Sequence, residues 1–101
     1  MASKPDIQTV LEELLGSRNV YLQPPENEKM SYPAIRYSLD DIQVNNANDS
    51  KYAKFKGYQL ILLDYDPDSV YIDKILDLPY CHFVNFYTKD GLNHFVFKLY
   101  Y

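Results

Sequence analysis

Leu60, Ile61, Leu62 and Leu63 follow one another with no polar residue between them, and this run limits the possible folds more than any other feature of the chain. It forms the second half of a strand-like segment, residues 52–65, whose first half alternates around Lys54 and Lys56. Successive side chains of a strand point to opposite faces. A run that is apolar at every position therefore needs cover on both faces, from the rest of the fold or from a partner. The segment is predicted to be central in a sheet.

The flanking sequence supplies what such a sheet needs. Ile7, Val10, Leu11, Leu14 and Leu15 repeat at helical spacing and make one apolar stripe, with Glu12 and Glu13 on the wet side. Ser3 is the expected cap, with Pro5 in the first turn and Asp6 three residues after the cap. Gly16 ends the helix. Residues 17–33 read as a loop with one short extended piece at 19–22. Pro24 and Pro25 then block helix, and 26–29 is charged. Tyr32-Pro33 leads into a strand at 34–39, with Ile35, Tyr37 and Leu39 on one face and Arg36 and Ser38 on the other.

Residues 40–51 hold three Asn and three Asp, which favour turns over ladders, so this stretch reads as a strand end and a hairpin tip. Residues 64–69 form a turn, and a second helix is predicted over 69–78, with Ile72, Ile75 and Leu76 inward and Pro79 as the stop. Strands at 81–87 and 92–101 close the chain. Lys89-Asp90-Gly91 is their turn, with Gly91 in the left-handed position of a bulged loop.

The order helix, strand, strand, helix, strand, strand predicts an α+β fold. The expectation is a four-stranded, mainly antiparallel sheet with the N-terminal helix and a second short helix packed on one face. It is one domain over 1–101, with a polar hairpin projecting at about 40–58. The predicted core is Ile7, Val10, Leu11, Leu14, Ile35, Ile61, Leu63, Ile72, Ile75, Leu76 and Phe97.

Charge and chemistry narrow the function. The net charge of −4 disfavours general nucleic-acid binding. Residues 1–50 carry four Lys/Arg against eight Asp/Glu, whereas residues 51–101 carry six against six. No apolar run approaches the ~20 residues of a membrane span, and Met1 to Gln8 does not read as a secretory signal. Cys81 is the single cysteine, so no internal disulfide forms, which fits a reducing cytoplasm. Asp64, Asp66 and Asp68 have the spacing that opens a calcium loop. The sixth and twelfth positions, however, are Ser69 and Ile75 rather than Gly and Glu. A helix-capping turn is the better reading. His82 and His94 lie on opposite strands of the last hairpin and have no third ligand at a matching spacing. No catalytic motif or cofactor fingerprint occurs. Lys51, Lys54 and Lys56, interleaved with Tyr52 and Phe55, form the one basic cluster. It reads as a strand protected against aggregation more readily than as a single-strand nucleic-acid platform.

Eleven Tyr and five Phe with no Trp suit a sheet protein and equally a subunit with large contact surfaces. The expected interface residues are Lys51, Tyr52, Lys54, Phe55 and Lys56 on the hairpin, with Tyr100 and Tyr101 at the end of the chain.

The Tyr-Pro entry at Tyr32-Pro33, the strand "YQLILLDYDPDS", the helix "VYIDKILDL" and the hairpin "CHFVNFYTKDGLNHFVFKLYY" follow one another in an order that resembles the tail-terminator proteins of long-tailed bacteriophages. These are also called tail-completion or minor capsid proteins. The resemblance spans about residues 6 to 101 and is a pattern of elements rather than a chemical signature. It implies a non-enzymatic subunit of a hexameric ring in the virion. Such a ring caps the tail tube, meets the head connector and lets DNA pass through its lumen without specific binding. Another head–tail completion protein, or a small acidic phage regulator that binds a host protein, are the alternatives. No cofactor is expected. Calcium or zinc added to the purified protein should leave its melting temperature unchanged, because a ligand bound only by the native state raises it. A saturable rise with calcium refutes the reading of Asp64 to Asp68.

Overall fold

The computed structural model describes residues 6–22, 31–47 and 50–101, with side chains described at all of these except 43–47 and 50–55. It is α+β. The elements run α1 (Ile7–Leu15), β1 (Val20–Leu22), β2 (Ala34–Ala47), β3 (Ser50–Asp64), α2 (Tyr71–Leu76), β4 (Cys81–Lys89) and β5 (Leu92–Tyr100). The strands form one mixed sheet in the order β1-β2-β3-β5-β4. The predicted count of four is therefore corrected to five. The short extended piece after α1 joins the sheet as a parallel neighbour of β2, with Val20 opposite Ile35. All other pairings are antiparallel.

Asp6 caps α1, its side chain accepting from the Thr9 amide at 2.9 Å, and Gly16 closes it at φ 74°. The cap predicted at Ser3 lies outside the described residues. Ile7, Leu11 and Leu15 are buried against Ile35 and Tyr37 of β2, Leu60 and Leu62 of β3, and Phe95, Phe97 and Leu99 of β5. The register sets Ile35 opposite Leu62, and Leu62 opposite Phe95, so one row of side chains crosses three strands beneath the helices. Gln8 fixes the helix to the strands: its Nε2 donates to the Val20 carbonyl at 3.0 Å, and its Oε1 accepts from the Tyr37 hydroxyl at 2.6 Å. Burial is the first cause that raises the Tyr37 pKa.

The doubly apolar run of β3 has the two-sided cover its sequence demands. Leu60 and Leu62 face the helices, while Leu63 is buried on the reverse face with Ala34 and Val96. Val10, Leu14, Ile61 and Ile72 of the predicted core are half-buried, and Leu76 is exposed. The reason is that α2 is only six residues long. One turn and a half directs Ile75 at the core and leaves Leu76, the next position round, outside. The last hairpin turns through two residues, Asp90 (φ 56°) and Gly91 (φ 78°), closing on Lys89 and Leu92. Both central residues are left-handed, as a type I′ turn requires; the three-residue bulged loop expected there is corrected.

Leu11 is fully buried, so Leu11→Ala should destabilise the protein by about 2–5 kcal/mol in denaturant unfolding. Leu76→Ala should change stability by only about 0.5 kcal/mol. Equal effects would show that α2 packs otherwise.

Candidate protein interface

β5 leaves β3 near Gly57, and Tyr101 makes the last contact: the Lys56 and Tyr101 backbones exchange both hydrogen bonds, at 2.9 and 3.4 Å. Beyond that point β3 pairs with β2 alone, Phe55 with Gln43 and Lys54 with Val44. At about 3.3 Å per residue, the 14 residues of β2 span about 46 Å, and the principal extents of the chain are 51 × 28 × 27 Å. The backbones of Lys51, Tyr52, Lys54 and Phe55 belong to this two-stranded stretch, while their side chains lie outside the described residues. Lys56 is exposed at its base.

Gly57 is where that base is packed. A Cβ there would lie 3.0 Å from the Lys98 Cε and 3.1 Å from the Asp41 Cβ. The missing side chain lets Lys98 cross β3 and form an ion pair with Asp40. The hydrogen bond to Asp40 is the main cause raising the Lys98 pKa. The same ammonium lies 5.3 Å from the Tyr100 ring centroid, a favourable cation–π arrangement.

Tyr100 and Tyr101 border an apolar pocket of about 200 Å³, completed by Val10, Leu78, Pro79, Tyr80 and Leu99. Tyr80 has φ 60°, unusual for a bulky residue, and its carbonyl accepts from the Tyr100 amide at 3.1 Å. That bond holds the turn between α2 and β4 against β5, with the Tyr80 side chain exposed. Of the seven expected interface residues, the fold thus brings Lys56, Tyr100 and Tyr101 together at one end of the sheet.

A larger apolar surface lies along β4, where every residue after Cys81 is exposed. Phe83 stacks edge-on against Phe97 with centroids 5.7 Å apart, and Phe86 lies 5.0 Å from Phe95. Both are still nearly half exposed, at 47% and 46%. A bulge between Phe83 and Asn85 lets two residues at odd spacing keep the same face. The sequence carries one faint trace of this surface: residues 81–88 contain no Asp, Glu, Lys or Arg. An edge strand ordinarily carries charge to discourage pairing. That β4 is an edge is decided by the distant β3–β5 pairing.

The histidines are not brought together. His82 is opposite Lys98 and His94 opposite Tyr87, on which its ring stacks at 4.5 Å. Four residues of β5 separate the two positions, about 13 Å. The Asp64 to Asp68 turn is corrected in detail. Asp64 accepts from the Asp66 amide at 3.0 Å and Asp66 from the Asp68 amide at 2.9 Å. These carboxylates thus stabilise successive turns. α2 has no side-chain cap bond. Among the described residues no three His, Cys, Asp or Glu cluster as metal ligands, and no helix is long and apolar enough to cross a membrane.

No known family model matches this chain, and no curated protein sequence is similar to it.

Cys81 faces the core edge beside Leu99, and burial pushes its thiol up to about 11 from an ordinary 9.0. At pH 8 about one thiol in a thousand is then ionised, and the thiolate is the reactive form. Alkylation by iodoacetamide at pH 8 should be far slower in the native protein than in the urea-unfolded chain, and should keep rising past pH 10. Because the unfolded thiol ionises first, its contribution to stability is present below pH 9 and is lost as pH rises toward 11. Rapid native alkylation at pH 8 would show that Cys81 is not desolvated.

Proposed function

We propose that this protein is a structural, non-catalytic subunit that assembles with copies of itself into a ring, as the tail terminator of a long-tailed bacteriophage. The observation that carries the proposal is the apolar edge of β4, uncharged over residues 81–88, with four large side chains, Phe83, Val84, Phe86 and Tyr87, at least two-fifths exposed. Contiguous exposed apolar surface marks interaction sites, and an unprotected sheet edge is a template for another chain. The order of elements adds the head–tail junction as the place of assembly. In this reading the ring is a hexamer that caps the tail tube protein and receives the head connector protein, and the virion is its location after assembly in the host cytoplasm. An acidic chain suits a channel through which DNA slides, since like charge keeps phosphates from sticking.

The hairpin of β2 and β3 is assigned to contact with a neighbour. Residues 45–49 of the sequence include three Asn and one Asp, side chains with little to bury. Lys51, Lys54 and Lys56 are suited to acidic groups across a salt-sensitive rim.

Light scattering and electron microscopy of the purified protein test this reading. Closed rings at high concentration are expected. A monomer or simple dimer at every concentration would instead favour a regulator that binds a host protein. Replacing residues 44–51 by a two-residue turn should leave the melting temperature within about 3 °C and abolish assembly. Normal assembly of the shortened chain would reduce the hairpin to a connector.

A further inference from the structure

β4 is an edge strand with no charged side chain from Cys81 to Thr88, and its backbone phase is self-complementary. The Tyr100 amide donates to the Tyr80 carbonyl, so Tyr80 turns inward to β5. Alternation then turns Cys81 outward, His82 inward and Phe83 outward. From the other end, the two-residue turn at Asp90-Gly91 makes Lys89 and Leu92 an inward pair. Counting back from it turns Thr88 outward, Tyr87 inward and Phe86 outward. The bulge between Phe83 and Asn85 absorbs the odd residue, Val84. The outward residues are thus Cys81, Phe83, Phe86 and Thr88, spaced by two, three and two. That pattern reads the same in both directions about the midpoint of Val84 and Asn85.

We infer that in the free protein β4 pairs antiparallel with β4 of a second copy, about a two-fold axis between Val84 and Asn85. Phe83 of each copy is then opposite Phe86 of the other, and Cys81 is opposite Thr88. Each of these pairs exchanges two backbone hydrogen bonds. Phe83 and Phe86 lie on the helix-bearing face, since within the chain they are opposite Phe97 and Phe95. They are 47% and 46% exposed, and aromatic pairs across the axis cover what Phe97 and Phe95 leave open. Residues opposed across the axis share a face, so the axis stands perpendicular to the sheet. Two five-stranded sheets join into one, with both sets of helices on the same side.

Charge favours a second copy as the occupant. The chain carries a net −4, so two copies repel each other as wholes. Along the neutral run of β4 they meet without opposing like charges. Lys89, the one charge on the strand, falls opposite Tyr80 of the other copy, and the two Lys89 are about 30 Å apart. The other open edge is a poorer occupant. β2 beyond Tyr37 exposes Leu39 and Ile42 at 45% and 54% around its own bulge. Setting Phe86 and Phe83 against them, however, runs Thr88 and Lys89 onto Tyr37 and Arg36, which β1 already pairs. The β4 pair closes on itself and hides the edge on which the ring reading rests. Dimer and ring compete for one surface, and the dimer is the form that must open before a ring closes. The inference goes beyond the ring reading, since it concerns the protein before assembly.

The test uses the full chain with Cys81→Ser, His82→Cys and Tyr87→Cys. Positions 82 and 87 face each other across the axis between two hydrogen-bonded pairs, with Cα atoms about 4.5 Å apart, within disulfide reach. Inside one chain they are five residues apart, about 16 Å, which excludes an internal bridge. Mild oxidation should give a disulfide-linked dimer and no larger species on non-reducing gels, and neither single-cysteine variant should crosslink. Sedimentation of the wild-type protein below the concentration of ring formation should show a dimer. Phe86→Lys should keep its circular dichroism and raise the dimer dissociation constant at least tenfold. A ladder of multimers would overturn the two-fold contact in favour of a head-to-tail one. A wild-type dimer with no crosslink in the double variant would overturn the pairing of β4 with β4. Monomers that pass directly to rings would overturn the dimer and leave the ring reading standing. A crosslinked dimer that never forms rings would support the β4 pair and overturn the ring reading.

Discussion

The antiparallel pairing of β3 with β5 is the contact on which the rest of the fold depends. The hairpins β2–β3 and β4–β5 are each local, closed by short connections. An isolated two-stranded hairpin is marginal in water. Joining them from Gly57–Tyr100 to Asp64–Asn93 places Leu60 opposite Phe97 and Leu62 opposite Phe95. That makes a continuous apolar surface broad enough for α1 and α2 to cover. A slip of one residue would turn the whole row to the other face. Asn93 supports the register from the turn end: its buried amide donates to the Tyr65 carbonyl at 3.1 Å and accepts from Thr88 at 3.0 Å.

This pairing also decides what is left over. It makes β4 an edge, and it stops at Tyr101, so β2 and β3 continue without a third strand. Edge and hairpin are two consequences of one register. The Lys98–Asp40 ion pair, packed over Gly57, ties β5 to the bulge of β2 at the place where the three-stranded region ends. An exposed ion pair of this kind contributes little to global stability. Its position suits it to fixing where the hairpin departs.

The bulges decide which apolar side chains the two edge strands leave exposed. In β2 and in β4 an extra residue brings two apolar side chains, three apart, onto the helix-bearing face and returns their backbone groups to the outer side. Phe83 and Phe86 pack on buried Phe97 and Phe95 and still keep nearly half their surface exposed. Aromatic groups held in place by a core and open on one side lose little entropy on binding.

Local sequence determined much of this. The helical stripe from Ile7 to Leu15, the left-handed stop at Gly16 and the Asp90-Gly91 turn follow from short-range sterics and periodicity. The unbroken apolar run at Leu60 to Leu63 demanded a central strand. Lys56, Tyr100 and Tyr101 stood out in the sequence as separate candidates, but that they lie together at one end of the sheet was not legible there. Other features depended on contacts between distant segments. Val20 to Leu22 is too short to form a strand by its own propensity and exists as one because β2 lies beside it. The inward side of α2 was misjudged at Leu76, because the helix is shorter than its periodic pattern. The surface of Leu39, Ile42, Phe83 and Phe86 was hidden for a similar reason. A bulge breaks the period of two from which faces are read, and an edge is defined only by the strand that is not there. The sequence by itself determined which segments are helix or strand, because those choices rest on neighbouring side chains. Only the tertiary structure decided which strands stand at the edges, because that depends on pairing between segments far apart in the chain.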